Sequence, residues 1–224
     1  MKKDNRSIRI QNLHKILLSK FLPSEALART FKTAEILASF DKNNFLEVYD
    51  ALGGQIENPE IIFSIPFMEF GRFCVLLDEP IHFNRYRSKT LRSSFYDSLS
   101  SFPLMKYRAY CRKYEVACLK AGTARPYWTN DEAERHFDPS QQSGDLGLSG
   151  SSGWKMNALK DFAIDLIARQ RKIRLLRISV WDDLMINKKL TKFNELLVSP
   201  APAEYEQILK YVERKVVALY ADDF

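Results

Sequence analysis

The sequence predicts an α/β protein: a small mixed β-sheet flanked by helices. Apolar residues recur at helical spacing near both ends of the chain. Three short runs rich in Ile, Val, Leu and Phe, at 59–67, 71–83 and 173–181, read as strands. Helical patterns precede the first run, separate the second from the third and follow the third, as expected of helices flanking a small mixed sheet. At 224 residues and 46% hydrophobic composition the chain is too apolar for disorder. It is long enough to bury roughly 70% of its extended surface in one large domain or two small ones.

Leu13, Ile16 and Leu17 lie on one helical face before Pro23-Ser24 interrupts the pattern. A fresh helix is expected from Glu25, carrying Leu27, Phe31, Ala34, Ile36 and Leu37. Phe45, Val48, Tyr49 and Leu52 then share a face, and Gly53-Gly54 supplies a left-handed stop. The runs PEIIFSIPF and GRFCVLLDEPIHF change the period and predict two strands in a hairpin turning at Glu69–Gly71, buried on both faces. Residues 88–122 read as helical, with Tyr107, Tyr110, Cys111, Tyr114, Cys118 and Ala121 on one side and Gly122 as terminator. Leu159, Phe162, Ala163, Leu166 and Ile167 predict a helix leading into the strand IRLLRISVW. Ile208, Leu209, Val212, Val216 and Leu219 predict a closing helix after PAPA at 200–203.

Residues 138–153 hold four glycines and five serines without apolar periodicity and read as a loop or linker. Ser149–Ser152 faintly suggests a phosphate-cradling turn, but no Gly-Lys-Ser/Thr follows. Tyr127, Trp128 and Trp154 beside this loop read either as a base-stacking platform or as anchors. Three cysteines are too few for a disulfide framework and point to a reducing compartment. Cys111 and Cys118, two helical turns or about 10.5 Å apart, cannot share one ion and read as packing. No run of eighteen apolar residues and no signal-peptide pattern occurs, so a cytoplasmic protein without membrane contact is expected. Neither Gly-x-Ser-x-Gly nor His-Glu-x-x-His is present.

The net charge of +6 is unevenly placed. Residues 85–92, 106–113 and 169–177 carry thirteen positive charges and no acid, which leaves the rest of the chain at −7. Clustered Lys and Arg suit a phosphate backbone, and Tyr86, Tyr107 and Tyr110 among them suit stacking on unpaired bases. The alternative is that the stretches are solvated faces that never share a surface.

The helix with Glu47 ending in LGG, the run VLLDEPIHF, and KDFAIDLIARQRKIRLLRISVWDDL together resemble the PD-(D/E)XK nuclease-like superfamily, nearest its very-short-patch-repair-like and RAP-domain branches. Asp78, Pro80, His82 and Phe83 stand on positions that match the family's second strand, and Leu176, Arg177, Ile178 and Trp181 resemble its final strand. The likeness covers 44–92 and 157–184 and implies a restriction-endonuclease-like core over 44–184. That core has an insertion around 93–156, an N-terminal helical segment at 1–43 and a C-terminal one at 185–224. The motif is degenerate: Leu76 replaces the acid two places before Asp78, and no Glu-x-Lys follows.

The resemblance implies a metal-assisted phosphodiesterase in which Glu47 and Asp78 hold Mg²⁺ and His82 orients water or phosphate. It also implies phosphate contacts from Arg85, Arg87, Lys89 and Arg92 after the strand, joined by Arg174 from the third basic stretch. Read from the residues alone, a His after a strand is more often a hydrogen-bonded structural residue than a ligand. Two functions stay open: a nucleic-acid-binding protein with a degenerate or rearranged nuclease centre, and a non-catalytic scaffold holding a protein partner or a second copy of itself.

Overall fold

A computed structural model of the chain describes residues 5–24, 30–65, 67–123, 129–140, 146 and 151–221. In chain order the elements are α1 (Asn5–Leu18), β1 (Thr30–Lys32), α2 (Thr33–Leu37), α3 (Lys42–Ala51), β2 (Ile62–Ser64), β3 (Met68–Phe70) and β4 (Phe73–Asp78). After a 3₁₀ turn (Pro80–His82) come α4 (Arg85–Thr90), a second 3₁₀ turn (Ser94–Ser98), α5 (Leu104–Lys113), α6 (Glu115–Thr123), α7 (Asp131–Phe137) and α8 (Ser152–Gln170). The chain continues through β5 (Leu175–Ser179), β6 (Asp183–Ile186), β7 (Lys189–Lys192), α9 (Phe193–Leu196) and α10 (Pro202–Ala221). The protein is mixed α/β, with helices around small mixed sheets.

The chain forms two compact units, each assembled from separated stretches. The sheet unit comprises residues 1–29, 66–79 and 172–224; the helical unit comprises 30–65 and 80–171. The units interleave along the chain, whereas the sequence suggested consecutive boundaries at 43 and 184; α1 and α10 both join the core of the sheet unit.

In the sheet unit the order is β3-β4-β5. β3 and β4 are antiparallel, with Met68 opposite Val75, whereas β4 and β5 are parallel, with Asp78 opposite Ser179. All six residues of β4 are buried, as its unbroken apolar run requires of a central strand. Leu13, Ile16 and Leu17 of α1 and Ile208 and Val212 of α10 share one core with Val75, Leu77, Leu176 and Ile178. Fully burying each such side chain stabilises the fold by about 1.5–3 kcal/mol. β6 and β7 form a further antiparallel hairpin that periodicity alone had not revealed. Its turn residues Asn187 and Lys188 both adopt positive φ, at 49° and 64°, the backbone a two-residue turn needs.

The helical unit departs most from expectation. β2 pairs with β1, Phe63 opposite Phe31, and the hairpin is made by β3 and β4 with Gly71 at φ 49° in its turn. Phe31 is thus a strand residue, while the helix start expected at Glu25 lies outside the described residues. Residues 88–122 are several short helices, because Pro103 cannot continue a helix and Tyr114 leaves helical geometry between α5 and α6. Gly122 is no terminator: it lies within α6, where a β-carbon would come within 2.1 Å of the Trp154 ring. Gly53, at φ 82°, does end α3 in the left-handed conformation. α8 is buried on nearly every side, which makes it the axis of this unit.

Candidate functional site

Two carboxylates one turn apart on α8, Asp161 and Asp165, are buried although the helix around them is apolar. A buried carboxylate is costly unless paired, and both are. Asp165 Oδ2 accepts from Arg87 Nη2 at 3.0 Å and from the Tyr96 hydroxyl at 2.6 Å. Arg87 Nη1 donates to Tyr96 Oη at 3.0 Å and to Thr90 Oγ1 at 3.2 Å. Asp161 Oδ2 lies 2.8 Å from His82 Nδ1 and 4.0 Å from Arg87 Nε. Asn84 positions these groups: its side chain accepts from the backbone N–H of Tyr86 and Arg87 and so starts α4. His82 is the member that solvent reaches, with its side chain 22% exposed against 3% for Asp161.

Chemically, an imidazole whose Nδ1 is held by a buried carboxylate has a set tautomer and ring orientation. His82 and Asp161 also offer one nitrogen and one oxygen of the kind a divalent cation accepts. Periodicity had assigned α8 to packing and passed over both aspartates. The signal was present in KDFAIDL, where two acids four apart interrupt an apolar face.

Several of the other expected site residues are taken up by partners of their own. Asp78, at the end of β4, is fully buried and receives Arg177 Nη1 at 2.6 Å, a guanidinium that competes with any cation for the same carboxylate. Glu47 is an exposed residue of α3 and takes no part in the His82 network. Arg87, expected to contact phosphate, is 1% exposed and serves as the internal counterion described above. Arg85 is exposed but donates to both Glu115 oxygens at 2.9 Å and to the Leu146 carbonyl at 3.1 Å. Those bonds hold the Glu115 carboxyl below its ordinary range. Arg174 belongs to the sheet unit and lies over the Tyr220 ring at 4.7 Å. Tyr86 and Tyr107 are buried and present no face for stacking.

Folding therefore removes much of the charge segregation seen along the chain. Arg85, Arg87, Arg169, Arg171 and Arg177 pair with Glu115, Asp165, Asp41, Glu35 and Asp78. Lys89, Arg92, Lys106, Arg112 and Lys113 remain exposed, without an ion pair among the described residues. Arg108 gathers part of this set: its Nε and Nη2 donate to the Leu91 carbonyl at 3.1 and 2.7 Å, next to Arg92. Arg112 follows Arg108 by one turn on the same side of α5, whereas Lys106 and Lys113 share another side.

Cys74, Cys111 and Cys118 are buried and form no disulfide, and burial raises the thiols of Cys74 and Cys118 to about 12. Cys118 donates to the Ile81 carbonyl at 3.3 Å, which makes it a packed structural thiol. Of the Gly/Ser-rich loop, residues 138–140, 146 and 151–153 are described, Ser152 among them. It starts α8 and joins Thr129 and Ser140 through hydroxyl contacts at 2.8 and 2.9 Å. Tyr127 and Trp128 lie outside the described residues, while Trp154 is fully buried as an anchor. Among the described residues no helix is long and apolar enough to cross a membrane.

Fold and site together define a mixed α/β protein whose helical unit is organised around a buried His–Asp–Arg–Asp–Tyr network. The chain belongs to the family of unknown function DUF7255, whose model matches residues 47–199. Comparison with curated proteins and with solved structures gave no match.

Proposed function

We propose that the chain binds a phosphodiester polyanion, a nucleic-acid strand, through cations at the end of α4 and along α5. One observation carries the reading: the Arg108–Leu91 contact seats α5 beside Arg92, so that Arg92, Arg108 and Arg112 neighbour one another with Lys89 close by on α4. Lys89, Arg92 and Arg112 are exposed and have no acidic partner among the described residues. Cations that remain uncompensated after folding, on a chain of net charge +6, are what counterion release rewards. The proposal is for binding. Mg²⁺-assisted cleavage finds less support, because Asp78 already has Arg177 as its counterion.

Fluorescence anisotropy with single- and double-stranded DNA and RNA tests the proposal. Binding should weaken steeply with salt, and the triple variant K89E/R92E/R112E should lose at least about tenfold in affinity with a shallower salt slope. Binding that is indifferent to both salt and charge reversal, or absent from all four nucleic acids, would sink it.

A protein-contact reading has its own observation in the sheet unit. A groove of about 600 Å³ between β6 and α10 is lined by the apolar Leu184, Met185 and Val217 together with Gln207, Lys210, Glu213 and Arg214, with Met185 and Val217 exposed. Such a contact would respond little to salt, which separates the two readings.

A further inference from the structure

Lys155 lies outside all three basic stretches, in the first turn of α8. Its surroundings differ from those of Lys160 on the same helix, whose ammonium pairs with Glu132 at 3.1 Å. Among the described residues no carboxylate stands within ion-pair distance of Lys155, and its Nζ has no hydrogen-bond acceptor. Asp138 acts on it only at a distance and is itself bonded by Gln55 Nε2 at 3.2 Å. The half-buried ammonium sits 5.9 Å from the ring centre of Phe137 and 6.0 Å from that of Tyr86. Two rings at that range hold a cation in place without occupying its N–H donors.

A second ammonium faces the same corner. Lys89 Nζ is 3.5 Å from the Ala51 carbonyl, and Lys155 Nζ lies 3.6 Å from where a β-carbon on Gly53 would stand, so both reach the last turn of α3. Burial draws the Lys155 amine below its ordinary range; Asp138 opposes this, and the like charge of Lys89, a smaller influence, adds to it. Two ammonium groups gathered at one turn without a bound carboxylate repel each other, and an anion within reach of both removes that repulsion.

We infer that Lys155 and Lys89 form a two-ammonium site for a phosphate group, with Lys155 held by the Tyr86 and Phe137 rings and its donors directed to phosphate oxygens. The ligand class follows from the polyanion reading, which this site deepens by adding a fixed contact to the exposed ones. A strand phosphate and a free polyphosphate share that chemistry.

The test is a lysine acylation footprint of the full chain, read by mass spectrometry at matched ionic strength. It is made without ligand, with inorganic pyrophosphate, and with single-stranded DNA whose binding is followed in parallel by anisotropy. At a tenfold excess over Kd, acylation of Lys155 should slow by about tenfold, while Lys160, tied to Glu132, stays unchanged. K155Q should abolish the pyrophosphate protection of Lys89 and reduce the logarithmic salt slope for DNA by about 1. Protection by DNA assigns the site to a strand. Protection by pyrophosphate with no DNA binding upholds the site and removes the nucleic-acid reading. DNA that binds while leaving Lys155 unprotected, with pyrophosphate equally without effect, overturns the site and leaves the α4–α5 surface standing.

Discussion

Buried carboxylates are held in two ways, by a guanidinium of their own or within a shared network. In the sheet unit two buried acids each have a guanidinium of their own: Asp78 is met by Arg177, and Glu79 by the Nε and Nη2 donors of Arg9. In the helical unit Asp161 and Asp165 are shared among His82, Arg87 and Tyr96, and the histidine reaches solvent. The contrast teaches that a dedicated pair is a replaceable structural device. A shared network ties several elements to one helix and leaves one titratable member at its edge.

Asp165→Ala should give the largest effect. It strips a buried guanidinium and a buried hydroxyl of their acceptor at once and should cost about 3–5 kcal/mol in chemical denaturation. Arg177→Met should cost a similar amount alone, because the buried Asp78 carboxylate loses its guanidinium. The double variant R177M/D78L should recover to within about 1 kcal/mol of the parent, since an apolar pair of similar volume can replace a buried ion pair. If that double variant stays as unstable as the single one, or if Asp165→Ala is harmless, the distinction between pair and network fails.

A smaller effect separates packing from polarity in the helical unit. Gly122→Ala would drive a methyl group into the Trp154 ring and should destabilise by about 1–3 kcal/mol, with a shift in Trp154 fluorescence. An unchanged denaturation midpoint would mean that α6 and Trp154 give way freely.

The smallest effect is a pH dependence. His136 is buried, its Nδ1 lies 2.9 Å from the Tyr49 hydroxyl, and its Nε2 has no partner among the described residues. Burial first, then Arg135, hold its pKa below the ordinary 6.5. As pH falls through about 6.5 the unfolded chain takes up the proton before the folded one. The contribution is therefore full above that value and declines below it, toward the lower folded pKa. Denaturation midpoints at pH 8, 7, 6 and 5 should fall less steeply for His136→Gln than for the parent. Parallel curves would assign the acid sensitivity to other groups.

Much of the fold was legible because its signals are local. The spacing of Leu13, Ile16 and Leu17, the apolar run of β4, and Gly53 after α3 each act over a few residues and appear where they were expected. The turn at Asn187-Lys188 was missed because its flanking strands are short and half exposed. β2 was paired with the wrong neighbour because a three-residue strand carries no record of its partner. At the site, His82 was singled out in the sequence, and it stands in the 3₁₀ turn after β4 with its Nδ1 against Asp161. Asp161 and Asp165, which give it a network, were concealed by the apolar helix that carries them.

By itself the sequence determined the α/β class, the main helices, the central strand and the total positive charge, because periodicity and composition operate on neighbouring residues. Only the tertiary structure decided which cations remain exposed. Glu115 meets Arg85 across 30 positions, Asp165 meets Arg87 across 78, and Arg177 meets Asp78 across 99. Charges attract through space, and the chain records only their order.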